Sequence, residues 1–512
     1  MQGLISKLMA ATVALLVLST APVFSEPVVG GVLRIAQDES PDRIDPHFAV
    51  TVQHRLIIDG PYEALLEMDN DFNILPSLAT EYVMESPTSF LFTLREGVKF
   101  HDGSPLTVDD VVFTFERIMS PDKPGPSQVK LKMIESVTPA GANQVRINLK
   151  NPSAPFLRFM ADPTISGIVS RKFTMEHNND LSSAVNGTGA FKVTRYAPGV
   201  AIVMEKNPDY WRQGLPYLDR INIEILPDDS TRLATMRTGE TDMTMFRPDK
   251  LRLIDTLKGV VKSPMVMNSP EFTLLNCNKP PFDKKEVRQA FSLALDRSAI
   301  AATVMPKVSK LGMWISAADK VFGYQGDGLD VPLQVQDVAR ARELMAAAGY
   351  ADGVDVAVDY IGTPAFQIDA RISEIMQQQL AVIGIRLTLR PLEYPALLTN
   401  FATGNYQAQT SGRGIEADPD SPFSAEAFSG SPLVSCKDKT LDAMLQAQQQ
   451  EMDIAKRAVL IDEIQRYISE EAYRVYLFHM PLRVELWREN VKGYTPNPLL
   501  RRTSLRETYI EK

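Results

Sequence analysis

Catalysis would have to start from a nucleophile beside a base, a metal cluster or a phosphate cradle, and the residues for each are scarce. The five histidines stand at 47, 54, 101, 177 and 479 with no HExxH among them, and Cys277 and Cys436 fit neither a CxxC nor a Cys/His zinc spacing. No Gly-Lys dipeptide occurs, which removes a P-loop. Gly412-Arg413-Gly414-Ile415-Glu416-Ala417 has the outline of a dinucleotide-binding turn, but Asp418-Pro419-Asp420 follows where a phosphate-binding helix would have to continue. Asp69-Asn70-Asp71-Phe72-Asn73 opens like a calcium loop; Ile74 then occupies the glycine position and Thr80 the bidentate-glutamate position, so a solvated turn is the better account. Paired acids such as Asp228-Asp229 and Glu470-Glu471 lie in polar surroundings and read as exposed charge. These residues predict no enzyme, no cofactor and no bound metal.

The elements that must position the polar residues are short strands early in the chain and longer helices later. Gly31 to Ala36 alternates as a strand and is broken by Asp45-Pro46. Phe90, Phe92 and Leu94 alternate towards a turn at His101-Asp102-Gly103. Thr107 with Asp110 forms a capping box, after which Val111, Val112, Phe115, Ile118 and Met119 share one helical face. Gly187-Thr188-Gly189 marks a lobe crossing before the strand-rich stretch 191–205. Helices are predicted over 286–296, over 338–348 closed by Gly349, and over 371–383 closed by Gly384, with an alternating strand at 385–389. A last helical region spans about 438–471 with a break near Asp453, followed by strands at 475–478 and 482–486. Helix, glycine stop and strand in succession is the unit of an α/β lobe.

With 512 residues the chain exceeds what one core usually supports, and 44% hydrophobic with 23% charged residues is a globular composition. A net charge of -9 without a Lys/Arg-rich block predicts no nucleic-acid partner. Lys7, the apolar run Leu8 to Leu18 and small residues at Val23 and Ser25 form a signal-peptide pattern, predicting cleavage near Ser25 and a periplasmic protein. The run is about half of the ~20 residues a bilayer span requires.

Leu78-Ala79-Thr80 and the run from Phe92 through Arg95-Glu96-Gly97-Val98-Lys99-Phe100-His101-Asp102-Gly103 to Thr107-Val108-Asp109-Asp110-Val111 resemble the signature of the family 5 extracytoplasmic solute-binding proteins. That group serves importers of peptides, nickel and opines. Gly187-Thr188-Gly189-Ala190-Phe191, Asn207-Pro208-Asp209-Tyr210-Trp211, Gly239-Glu240-Thr241-Asp242 and Pro280-Pro281-Phe282-Asp283 with Val287-Arg288-Gln289-Ala290 are similar to further family motifs, and the likeness covers essentially the whole mature chain. It implies an α/β clamshell of the periplasmic-binding-protein type II class, with mixed sheets flanked by helices, an extra inserted domain and two hinge strands. The implied division is a signal peptide over 1–25, a discontinuous lobe I (26–60, 187–272 and 480–512), an inserted small domain (61–186) and lobe II (273–479). The implied function is capture of a peptide or peptide-like, carboxylate-bearing solute by hinge closure, for delivery to ABC permease subunits driven by a cytoplasmic ATPase. A monomer is expected. An opine, metal chelate or sugar conjugate is the alternative ligand, and a periplasmic hydrolase or chaperone the alternative from another class.

In peptide-binding relatives a cleft loop carries a Gly-Trp pair and an aspartate for the ligand's amine. The corresponding loop here, Thr410 to Asp420, lacks the tryptophan, and the amine-binding position falls on Ile415 with Glu416 beside it. Arg413 is the leading candidate, since a guanidinium holds a carboxylate through two hydrogen bonds; the alternative is that it braces the loop through Asp418 or Asp420. Met245, Phe246 and Arg247 are similar to a cleft-lining crossing in the family. Asp418, Tyr394, Asp45 and His47 complete the candidate ligand residues. Cys277 and Cys436 are paired or free: an oxidising compartment permits a bridge, but nothing in the sequence brings them together.

Overall fold

The computed structural model describes residues 27–49, 51–264, 269–305, 309–326, 328, 330–363, 367–412, 416–481 and 483–511. The expected signal peptide and Arg413 lie outside the described residues.

Alternation in the first third builds a four-stranded antiparallel sheet in the order Ala79–Ser86, Ser89–Leu94, Gln144–Leu149 and Ile134–Gly141. Phe90, Phe92 and Leu94 point inward from the second strand, and Phe90 meets Phe156 with ring centroids 4.7 Å apart. The helix Val108–Met119 covers this core with Val111, Phe115 and Ile118. It begins as its sequence requires: Asp110 accepts hydrogen bonds from both the backbone N–H (2.9 Å) and the hydroxyl (2.7 Å) of Thr107.

A seven-stranded mixed sheet runs in the order Val260–Ser263, Val484–Arg488, Met243–Phe246, Val32–Gln37, Arg220–Ile225, Ala201–Lys206 and Phe191–Ala197. Val32–Gln37 pairs in parallel with Arg220–Ile225 on one side and Met243–Phe246 on the other. The Gly-Glu-Thr-Asp turn is scaffold here. Gly239 ends the helix Asp229–Thr238 at φ 81°, and Asp242 holds Arg34 of the first strand through Nε at 2.8 Å.

The third sheet has five strands in the order Ile385–Leu392, Val354–Ile361, Ala408–Gly412, Pro270–Leu275 and Arg474–His479. Helices cover both of its faces, so Pro270–Leu275 and Arg474–His479 are buried at every position. The helix Gln367–Ala381 starts and stops earlier than its periodicity predicts; Gly384, at φ 85°, then turns the chain into the next strand. Asp453 supplies the predicted break, capping the helix Ile454–Glu470 through a 3.0 Å bond from Lys456 N–H.

The chain passes from the seven-stranded to the five-stranded sheet between Ser263 and Pro270 and returns between His479 and Val484. This is the periplasmic-binding-protein clamshell, mixed α/β with helices flanking separate sheets. The structure also decides the cysteines: Cys277, just beyond Pro270–Leu275, is bonded to Cys436, just before the helix Lys439–Gln450, with Cα atoms 5.1 Å apart. Tertiary packing joins residues 159 apart in sequence, which no local pattern signals. A Cys277→Ser/Cys436→Ser variant is expected to lose about 2–4 kcal/mol of unfolding free energy in guanidinium titration, because the unfolded chain regains the entropy of a long loop; an unchanged midpoint would refute this.

Candidate functional site

In open α/β sheets the carboxyl ends of strands leave room for a ligand, and here those ends from two sheets face one another. A cleft of about 600 Å³ lies between them, within the range of small-molecule pockets. Val32–Gln37 ends into Asp38 and Glu39, and Met243–Phe246 ends into Arg247; all three line one wall. Opposite, Val354–Ile361 and Ala408–Gly412 deliver Ile361, Ser411 and Gly412. Phe272 and Leu274 rise from the strand Pro270–Leu275, and Tyr394, Leu397 and Phe401 from one face of the helix Tyr394–Thr403.

The walls differ in charge. The seven-stranded side presents Arg232, Arg247 and Lys250 among acids. Arg232 is committed to the scaffold: it ion-pairs with Asp229, donates to the Pro227 carbonyl at 2.9 Å and lies 5.2 Å from the Phe246 ring centre. Asp229 is therefore a wall residue rather than free surface charge. Among the described residues lining the five-stranded side there is no lysine or arginine, but there are three buried carboxyls, Glu271, Asp369 and Glu426. Glu426 pairs with buried Arg474, whose guanidinium sits 4.1 Å from the Trp314 ring centre. Burial pushes the Glu271 carboxyl well above the ordinary range, and the neighbouring Asp369 charge adds to the effect. Burial likewise raises Asp369, against a bond from the Ile361 backbone that favours its anion.

The bacterial extracellular solute-binding proteins, family 5, match residues 73–433 of the chain. The chain belongs to that family. A family 5 protein is the substrate-binding component of an ABC importer. Di/tripeptide-binding protein 2 of Pseudomonas aeruginosa is 28% identical over 462 residues, covering 83% of this chain and 85% of that protein. A glutathione-binding protein of Salmonella typhi is 28% identical over 375 residues, 72% of this chain and 70% of the relative. In fold, the protein superposes on the periplasmic binding protein DppA of Helicobacter pylori, solved with the peptide STSA, with a TM-score of 0.75 at 23% identity, covering 95% of this chain and 99% of that one.

Of the residues singled out in the sequence of this family 5 protein, Arg247 and Tyr394 line the cleft. Met245 and Phe246 are buried in the strand before Arg247 and lie outside the lining, Phe246 serving as the platform for Arg232. Asp45 and His47 are not cleft residues. Asp45 is buried against Arg117 (2.6 Å), and His47 bonds the Gly167 carbonyl at 2.8 Å. Burial, then the Arg117 charge, lowers the His47 imidazole to about 4, so it is neutral at physiological pH. Glu416 reaches away to Lys130 (2.8 Å). Asp418, fully buried, accepts two bonds from Arg457, at 2.6 and 2.9 Å, and anchors the loop rather than a ligand.

Sequence reasoning passed over Glu271, Asp369 and Gln409. A signal existed for two of them: Glu271 places a carboxylate in a strand whose other residues are apolar apart from Thr273, and Asp369 falls in phase with Ile372, Met376 and Leu380 on the buried face of its helix.

Removing Asp418 by substitution to alanine leaves the Arg457 guanidinium buried without its counter-charge and is expected to cost about 3–5 kcal/mol in denaturant titration; a loss below about 1 kcal/mol would mean the anchor is dispensable. For Glu271 the sign is opposite. The unfolded chain releases this proton near pH 4 while the folded protein holds it to higher pH, so the unliganded protein loses stability as pH rises from about 4 through the raised folded value. Glu271→Gln is expected to melt at a higher temperature than wild type at pH 8, with the gap closing towards pH 4.

Proposed function

We propose that this protein captures a short peptide or peptide-like, carboxylate-bearing solute between its two sheets and delivers it to the permease of an ABC importer, acting in the periplasm after its leader is removed near Ser25. The observation that carries this reading is the cleft itself: about 600 Å³ enclosed between two separately cored sheets that the chain joins only twice among the described residues. In this reading residues 26–60, 187–272 and 480–512 form lobe I, 61–186 the inserted domain and 273–479 lobe II, and the two connections flex as the lobes close. Di/tripeptide- and glutathione-binding relatives, and a structural neighbour solved with a tetrapeptide, support a peptide. Arg247 on the lobe I wall, with Arg413 in the loop that follows Gly412, receives the ligand's carboxylate through charge-assisted bonds. Phe272, Leu397 and Phe401 offer side-chain surface opposite. No catalytic step is required of any of them.

Thermal-shift screening over dipeptides, tripeptides, opines and nickel chelates tests this. A peptide at about 100 times its Kd is expected to add roughly 2.7 kcal/mol to native stability. Arg413→Ala is expected to abolish that shift while leaving the unliganded melting temperature nearly unchanged; a shift only with opines or chelates would replace the peptide reading.

A further inference from the structure

The lobe II wall of the cleft carries three buried acceptor atoms without a partner among the described residues. Glu271, Asp369 and Gln409 are 3, 4 and 2% exposed, and all three line the cleft. Glu271 Oε2, Asp369 Oδ2 and Gln409 Oε1 have no hydrogen-bond partner among the described residues. They come from three separate elements: the strand Pro270–Leu275, the first turn of the helix Gln367–Ala381 and the strand Ala408–Gly412, whose Gln409 and Gly412 pair in register with Leu274 and Glu271. Tertiary structure has gathered three such acceptors in one cleft, where a folded chain normally leaves only a few scattered over the whole. Among the described residues, the positive side chains lining the cleft, Arg232, Arg247 and Lys250, belong to the opposite wall, and Arg474 is spent on Glu426.

The approach to these acceptors is apolar. Tyr394 and Leu398 are 51% and 42% exposed, whereas Phe272, Leu274 and Leu397 on the same wall are 1–2% exposed. A group that fits must carry a hydrocarbon stem past aromatic and aliphatic surface and end in a donor-only, positively charged tip. An ammonium has three donors and no acceptor, and a guanidinium five.

We propose that Glu271, Asp369 and Gln409 form a subsite for the cationic end of a basic side chain, so that the solute this protein carries is a peptide or amino-acid derivative of lysine or arginine type. This rests on the cleft being the ligand site, and it deepens the peptide reading by naming the side chain. The two carboxyls stand close together against mutual repulsion and burial. A buried cation supplies the missing donors and counter-charge together, and Arg247 across the cleft takes the opposite end of the same ligand.

Isothermal titration of the purified protein with L-alanyl-L-lysine, L-alanyl-L-norleucine and 1,5-diaminopentane tests the subsite, since norleucine keeps the stem and lacks the ammonium. Alanyl-lysine is expected to bind wild type about tenfold or more tighter than alanyl-norleucine, the worth of one hydrogen-bonded charge. Glu271→Gln and Asp369→Asn are each expected to remove most of that preference while holding or improving the norleucine peptide, whose binding also certifies that the variants are folded. Equal or tighter binding of alanyl-norleucine to wild type overturns the subsite and leaves the peptide reading standing. Binding of 1,5-diaminopentane alone, lost in Glu271→Gln, upholds the subsite and removes the peptide reading. No binding of any of the three overturns both, and a lysine preference unchanged in both variants overturns the assignment to these residues.

Discussion

The chain crosses between its seven-stranded and five-stranded sheets between Ser263 and Pro270 and again between His479 and Val484, and each sheet closes its own hydrophobic core. Two crossings between separately cored sheets leave a seam between them, the cleft of about 600 Å³. Strand ends, a helix start and polar side chains that elsewhere would be covered are left facing solvent or a ligand. Swinging one body against the other changes dihedrals in a few connecting residues and leaves both cores intact, the physical requirement for hinge closure.

The seam is electrostatically divided. Among the described residues, cations stand among acids on the wall of the seven-stranded sheet, and unpaired buried acceptors stand on the wall of the five-stranded sheet. A solute with charges of both signs can satisfy both walls only when they approach. In the proposed closure, a solute that contacts both walls favours the closed arrangement, and only a difference in affinity between the two arrangements shifts the population.

Rigid anchoring surrounds this seam. Asp418 is held by Arg457, while Arg158 donates to the Ala417 carbonyl at 3.0 Å and to Asp319 at 2.8 Å. Much of what is recognisable as family pattern works in the same way: Asp242 on Arg34, Asp110 capping Thr107, Gly239 stopping a helix. These residues hold the walls in place without touching the ligand.

Local chemistry sufficed for much of this protein. The alternation of Phe90, Phe92 and Leu94, the Thr107–Asp110 cap, the left-handed glycine at Gly349 and the cap at Asp453 each depend on neighbours a few residues away, and each appears where its sequence places it. Family membership was legible for the same reason, since its motifs are turns, caps and strand starts. Arg247 and Tyr394 reached the cleft because both directly follow a strand or open a helix at a strand's carboxyl end. Asp45, His47, Glu416 and Asp418 did not, since whether a polar residue faces a ligand or a buried partner depends on Arg117, Lys130 and Arg457, tens to hundreds of residues away. The Cys277–Cys436 bridge and the meeting of Glu271, Asp369 and Gln409 are of that second kind. Sequence by itself determined the elements, through short-range sterics and hydrogen bonding; only the tertiary structure decided which charges are paired, because burial and partnership are properties of segments brought together from far apart.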